Sequence, residues 1–95
     1  IIHIYINIIF MTLNKEDLKN KIIYRASYRG TKEMDILMIG FVKSIISNLD
    51  IKNLNILNEF VNYDDEMLIS IKKNEKSLNT SDKILLNIID KFKKY

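Results

Sequence analysis

Apolar residues recur along most of this chain with the period of an α-helix. From Asn14 onward they return at spacings of three and four, which places them on one face of successive helices. The chain has no proline and only two glycines, so little interrupts a helix, and no strand pair or hairpin dipeptide follows residue 11. The pattern predicts an all-α fold: a compact domain of five helices over residues 11–95, preceded by an apolar tail that it does not assign.

Capping residues set the expected helix boundaries. In chain order, Asn14 caps Lys15–Arg29, Thr31 caps a helix to Asn48, Asp50 caps Ile51–Asn62, Asp64 or Asp65 caps Glu66–Lys73, and Thr80 or Ser81 opens the fifth helix. Gly30 is expected to end the first helix in a left-handed turn. The second helix is apolar most of the way round, which predicts the most buried helix of the domain. Gly40 inside it costs about 1 kcal/mol relative to alanine, so we expect it to admit the close approach of another helix.

The first ten residues, Ile-Ile-His-Ile-Tyr-Ile-Asn-Ile-Ile-Phe, match no targeting segment. They are too few to span a bilayer, which needs about 20, and they lack the charged start and cleavage site of a secretory signal. The first methionine is Met11. We therefore interpret residues 1–10 as a non-native or disordered extension; the alternatives are a β-prone tail that associates and a segment that packs on the helices. His3 has no second ligand near it in sequence, so we expect it to be a bystander.

Composition excludes most kinds of chemistry. The chain has no cysteine, which excludes disulfides, thiolate zinc sites and a cysteine nucleophile and is compatible with a reducing compartment. No phosphate-binding loop, dinucleotide fingerprint, metalloprotease motif or hydrolase motif is present. The net charge is +3, but the lysines alternate with acids, and the tyrosines are too scattered to form a stacking platform for nucleic acid. We expect no catalytic residues, no metal and no nucleic-acid binding, and a protein that works by binding another protein.

Charged residues are densest at the corner between the first two helices. Arg25, Arg29, Gly30, Thr31, Lys32, Glu33 and Asp35 lie there. Capping alone explains each residue, because a helix ends, a glycine turns the chain and acids follow the next cap. A rigid corner with fixed charges and an accessible glycine backbone is also a good docking surface, so the residues alone leave both interpretations open.

The run from Arg29 to Glu33 resembles the Arg-Gly-x-x-Glu signature of the succinate dehydrogenase assembly factor 2 family, the FAD assembly factors called flavinators. Residues 22–27 are similar to the family's helix before the signature, residues 37–41 to the aliphatic run after it, and residues 57–68 to its second block. That block has an Asp-rich turn followed by a short helix. The chain departs from the family in lacking a proline in that turn and a tryptophan in the short helix, and in having Tyr28 where a basic residue is common.

The resemblance implies both a function and a site. It implies that the protein binds the flavoprotein subunit of succinate dehydrogenase, and by extension of fumarate reductase, and promotes covalent attachment of FAD to a histidine there. FAD then belongs to the partner, and the protein needs no cofactor of its own. Arg29 is expected to be a bidentate donor to the partner, Gly30 to allow close approach and Glu33 to accept hydrogen bonds. A second tier of contacts comprises Thr31, Lys32, Asp35 and Arg25.

We further expect a bacterial cytoplasmic monomer that does not insert into membranes. Two other functions stay open at this stage. One is a small regulatory or antitoxin-like module that binds a toxin or nucleic acid, and salt-sensitive DNA binding would support it. The other is a structural subunit of a larger complex, which permanent co-purification at fixed stoichiometry would support.

Overall fold

The structure is a computed structural model that describes residues 2–95, apart from the side chains of residues 7, 8 and 10–13. Every regular element in this range is helical. The elements are α1 (Ile2–Ser27), α2 (Lys32–Ile45) with a 3₁₀ turn at Ile46–Asn48, α3 (Ile51–Val61), α4 (Asp65–Lys72) and α5 (Lys83–Lys94). The predicted all-α fold is confirmed. No helix within the described range is long and apolar enough to cross a membrane.

Three of the predicted caps are present with their hydrogen bonds. A side-chain oxygen of the cap accepts from the backbone N–H three residues later at Thr31 (3.2 Å), Asp50 (2.8 Å) and Asp64 (2.8 Å). Each bond satisfies one of the N–H groups that the first turn of a helix leaves without a partner. These bonds fix the starts of α2, α3 and α4, and they select Asp64 over Asp65 as the cap of α4.

The predicted start of α5 is wrong. Asp82 is the cap, and its Oδ1 accepts from the N–H of Ile84 at 2.9 Å and of Leu85 at 3.2 Å. Thr80 lies two residues before Asp82, and its Oγ1 accepts from the N–H of Asp82 at 3.2 Å. Adjacent residues that all favour capping compete for the position, and here the carboxylate takes it.

The predicted cap at Asn14 is also wrong, because α1 passes through this residue and begins at Ile2. No proline or glycine precedes Asn14, so nothing stops the hydrogen-bond ladder from extending toward the N-terminus. The described side chains at positions 2–6 and 9 are exposed. Position 1 lies outside the described residues, and the interpretation of residues 1–10 as a non-native extension stays a prediction.

The core takes buried side chains from all five helices. Its centre holds three phenylalanines from different helices, Phe41, Phe60 and Phe92, each at most 1% exposed. Their rings meet edge to face with centroids 5.0 to 6.0 Å apart. Ile36 on the outer side of α2 is 62% exposed, so this helix is not buried all the way round, and its being the most buried helix stays a prediction. A domain this small has too few helices to surround one of them completely.

Gly40 admits a tyrosine ring rather than a helix backbone. A Cβ atom at this position would collide with the hydroxyl of Tyr95, the residue that follows α5. The same ring packs on Phe41 with centroids 5.8 Å apart and lies 5.7 Å from the ammonium of Lys72. That ammonium also donates to the carbonyl of Phe92 at 2.7 Å. The glycine therefore lets the Tyr95 ring pack on the end of the core.

We expect Gly40→Leu to lower the free energy of unfolding by up to about 1 kcal/mol, because displacement of the half-exposed Tyr95 ring is offset in part by the better helix propensity of leucine. Chemical denaturation followed by circular dichroism measures the change. The matched test repeats the substitution in a Tyr95→Ala background, where the loss should shrink. An equal loss in both backgrounds would show that the Tyr95 ring is not what the glycine accommodates.

Candidate protein-docking site

The α1–α2 corner is closed by its own hydrogen bonds. Gly30 has a φ of +122°, a backbone conformation that glycine adopts without the strain a side chain would bring. The N–H of Arg29 donates to Oδ1 of Asp35 at 2.5 Å, and the N–H of Asp35 donates to the carbonyl of Thr31 at 3.0 Å. Asp35 therefore holds both sides of the turn, and its carboxylate is committed to the chain's own backbone.

The Arg29 side chain is only 2% exposed and contacts a second corner, between α3 and α4. Its Nε–H donates to Oδ1 of Asp65 at 3.1 Å, and one terminal nitrogen lies 3.0 Å from the same oxygen. The two terminal nitrogens also donate to the backbone carbonyls of Val61 and Tyr63. These carbonyls lie at the end of α3, where a helix leaves acceptors without partners inside it. One guanidinium thus joins two corners that lie 36 residues apart in sequence.

This geometry gives Arg29 a different task from the expected one. We expected its guanidinium to be a bidentate donor to a partner protein. In the structure the donors point into the chain's own α3–α4 corner, and the planar fork suits a carboxylate together with two carbonyls. The contribution of Arg29 to partner binding remains a prediction. In this structure the Arg29 side chain fixes the shape of the α3–α4 corner.

Arg25 supplies a second, exposed tether one helical turn earlier. Its Nε–H donates to Oδ1 of Asn62 at 3.2 Å, and the amide nitrogen of Asn62 donates back along α3 to the carbonyl of Asn58 at 2.7 Å. Both Arg25 and Asn62 are exposed. The end of α1 is therefore bonded to the end of α3 at two successive turns, one exposed and one buried.

Besides Arg25, the exposed part of the predicted site is the stretch from Gly30 to Glu33. A Cβ atom on Gly30 would meet nothing within 4 Å, so the backbone there is open to an approaching surface. Thr31 is exposed but uses its hydroxyl oxygen to cap α2. Lys32 and Glu33 occupy the first turn of α2, where the helix dipole favours the carboxylate. The corner therefore exposes the backbone of Gly30, the ammonium of Lys32 and the carboxylate of Glu33.

Acidic residues lie at the start of α4, which the Arg29 side chain joins to the α1–α2 corner. Asp64 and Glu66 are exposed beside the half-buried Asp65 at the start of α4. Burial of Tyr63, followed by the nearby carboxylates of Glu59 and Asp82, raises the pKa of its phenol. Within the part of the chain that the structure describes, no three His, Cys, Asp or Glu side chains are grouped so as to hold a metal ion.

Sequence reasoning missed the α3–α4 half of the site. Asp65 was considered only as a cap, and nothing local connects it or Asn62 to arginines 36 and 37 residues away. Sequence reasoning considered the tyrosines only as a stacking platform for nucleic acid and missed that Tyr24 and Tyr28 pair, with ring centroids 4.8 Å apart. Their spacing of four residues on a helix was the available signal.

The fold and the corner define a class of protein: a small helical domain with a preformed polar surface. A family model described as "Flavinator of succinate dehydrogenase" matches residues 20–94, which include the corner and all of α2 to α5. The chain therefore belongs to the family of succinate dehydrogenase flavinators, as the sequence resemblance indicated. No curated protein and no solved structure matches it.

We expect Arg29→Lys to lower the free energy of unfolding by at least about 2 kcal/mol. Lysine keeps the charge beside Asp65 but has no fork to satisfy the carbonyls of Val61 and Tyr63. The matched control is Arg25→Lys at the exposed tether, which should change stability by no more than about 0.5 kcal/mol. Urea titrations of the three proteins decide the matter, and equal stabilities of the two variants would contradict the bridging role.

The raised pKa of Tyr63 predicts a loss of stability in alkali. The unfolded chain releases the phenol proton near its ordinary value of about 10, while the folded protein retains it to higher pH. The stability that the protonated phenol of Tyr63 contributes is therefore complete below about pH 10 and is lost as pH rises through the raised pKa of the folded protein. We expect Tyr63→Phe to remove this part of the decline. Unfolding titrations between about pH 9 and pH 11 would show parallel curves for both proteins if the phenol played no part.

Proposed function

We propose that this protein binds the flavoprotein subunit of succinate dehydrogenase and promotes the covalent attachment of FAD to a histidine of that subunit. Family membership supports the general role of flavinator. The α1–α2 corner supports the site, since Gly30–Glu33 is exposed while Arg29 and Asp35 immobilise the chain on either side of Gly30. The partner surface that meets the corner carries a cationic or N–H donor opposite Glu33 and a flat contact opposite Gly30.

A rigid corner reduces the entropic cost of binding. Loops that become ordered on association lose conformational freedom, and this loss is subtracted from the binding free energy. Here the hydrogen bonds of Arg29 and Asp35 have already fixed the backbone. The interaction energy of Glu33, Lys32 and the open Gly30 backbone is then available to hold the partner in one arrangement.

The proposed mechanism is positioning. Attachment requires a histidine nitrogen and the flavin to approach each other within the partner, and fixing two reacting groups in the correct geometry removes much of an entropic barrier. The assembly factor contributes the binding energy that favours the reactive arrangement. FAD and the reacting histidine belong to the partner, and this chain donates no catalytic group.

We expect Glu33→Ala to weaken binding to the flavoprotein subunit by roughly 10-fold to 150-fold, the range for loss of a hydrogen bond to a charged group. Covalent flavin should fall accordingly. The measurement is flavin fluorescence of the subunit band on a denaturing gel, from cells that contain the wild type, the variant or neither. Glu75→Ala removes an exposed glutamate in the loop after α4 and is the matched control.

Cells with and without the wild-type protein test the function, and cells with the wild type or Glu33→Ala test the site. A subunit band that is equally bright with and without this protein would contradict the proposed function. A bright band with Glu33→Ala would show that the protein promotes attachment through another surface. Circular dichroism of both variants confirms that the helices are intact, which is expected because neither glutamate is buried.

A further inference from the structure

We propose that the docking surface continues beyond the corner, over Tyr24 and Tyr28, into the groove between α1 and the start of α3, where it takes an extended segment of the flavoprotein subunit. This inference rests on the proposed function. It adds a second contact area on the partner and a second kind of contact, to peptide backbone and apolar side chains instead of charges.

The two tyrosines form an exposed pair at the end of α1. Tyr24 is 68% exposed and Tyr28 is 66% exposed, although their rings lie against each other with centroids 4.8 Å apart at an angle of 45°. The other aromatic pairs among the described residues all belong to the core group of Phe41, Phe60, Tyr63, Phe92 and Tyr95. The Tyr24–Tyr28 pair is thus not part of the core packing.

Such a pair is well suited to a protein interface. Tyrosine offers a large apolar face and a hydroxyl with only two rotatable side-chain bonds, so it loses little entropy on binding. Mutual contact restricts the two rings further before any partner arrives. Tyrosine is also among the residues whose truncation most weakens protein–protein interfaces.

A groove adjoins the pair, with Tyr24 forming part of its wall. The groove has a volume of about 850 Å³ and lies between α1 and the first turns of α3. Its wall combines three amide side chains with three apolar ones: Asn14, Asn20 and Asn55 with Leu18, Tyr24 and Ile51. Amides both donate and accept hydrogen bonds, as the N–H and C=O groups of an extended peptide require. The amide nitrogen of Asn55 donates to the carbonyl of Ile51 at 3.0 Å, so its oxygen is the atom that would accept from a peptide N–H.

The dimensions and charge of the groove limit its occupant. From Asn14 to Tyr24 the helix rises by about 15 Å, which an extended peptide covers in four to five residues. Asp17 and Lys21 also line the groove and carry opposite charges. A short, uncharged segment with an apolar side chain directed at Leu18 and Ile51 fits this wall, because the charges of Asp17 and Lys21 cancel and leave no net positive charge for a phosphate backbone.

Continuity with the corner assigns the segment to the same partner. Tyr24 lines the groove and stacks on Tyr28, and Tyr28 directly precedes Arg29 and Gly30. Groove, tyrosine pair and corner therefore follow one another along the C-terminal half of α1. If the subunit covers Gly30 and Glu33, an adjacent extended segment of its chain can reach the groove.

The test measures binding of the purified flavoprotein subunit by titration calorimetry. We expect Tyr24→Ala and Tyr28→Ala each to raise Kd about tenfold or more, which is the effect of a moderate interface hot spot. Asn55→Ala should raise Kd by a smaller factor. Tyr5→Ala is the matched control, since Tyr5 is 63% exposed on the same helix about five turns upstream, and its Kd should stay within about twofold of wild type.

Hydrogen exchange of the complex provides an independent measurement. We expect the partner to slow amide exchange along residues 14–28 and at the start of α3, as well as at the corner. Each variant is first compared with wild type by circular dichroism and thermal unfolding. Both tyrosines are more than half exposed, so their truncation should leave the fold intact.

The outcomes separate this inference from the proposed function. If Glu33→Ala weakens binding while both tyrosine variants bind like wild type, the extended surface is overturned and the proposed function stands. If wild-type protein does not bind the subunit, the proposed function fails and this inference fails with it. Single-stranded oligonucleotides are titrated in parallel, and loss of oligonucleotide binding in the tyrosine variants, with subunit binding unchanged, would overturn the inference in favour of a nucleic-acid surface.

Discussion

The guanidinium of Arg29 holds the two polar corners of this fold together. It is buried to 2% exposure and bonds to the carboxylate of Asp65 and to two backbone carbonyls at the end of α3. Burying a charge is costly unless its partners replace water, and here a carboxylate and two carbonyls do so. Because the carbonyls belong to a helix end, the same bonds satisfy acceptors that the helix cannot pair internally. Removing Arg29 therefore leaves several groups without partners at once.

Everything proposed about docking depends on this bond network. The exposed stretch Gly30–Glu33 lies between the buried core residues Ala26 and Met34, so its position is determined by the residues on either side. Arg29 fixes one side through α3 and α4, and Asp35 fixes the other through the N–H of Arg29. A docking surface built on loop backbone is precise only when the supporting residues are immobilised. The acidic start of α4 is brought near the corner by the same guanidinium.

Local sequence signals predicted the helices well and the site only in part. Thr31, Asp50 and Asp64 were predicted as caps because a cap bonds to a residue three positions later, and that spacing is visible in sequence. The same signal failed at Asn14, where helix continued on both sides, and at α5, where Asp82 outcompeted Thr80 and Ser81. The bond between Arg29 and Asp65 spans 36 residues, and no periodicity or capping rule connects positions that far apart.

A short sequence motif does not assign a role to each of its residues. Arg29, Gly30 and Glu33 were predicted together as the contact centre, yet the structure separates them by exposure. The Arg29 side chain is turned inward, whereas Gly30 and Glu33 remain at the surface. A substitution at Arg29 would disturb docking through the shape of the corner, and a substitution at Glu33 through the loss of one contact. Under the proposed function both substitutions lower activity, so stability and binding have to be measured separately to tell a supporting residue from one that meets the partner.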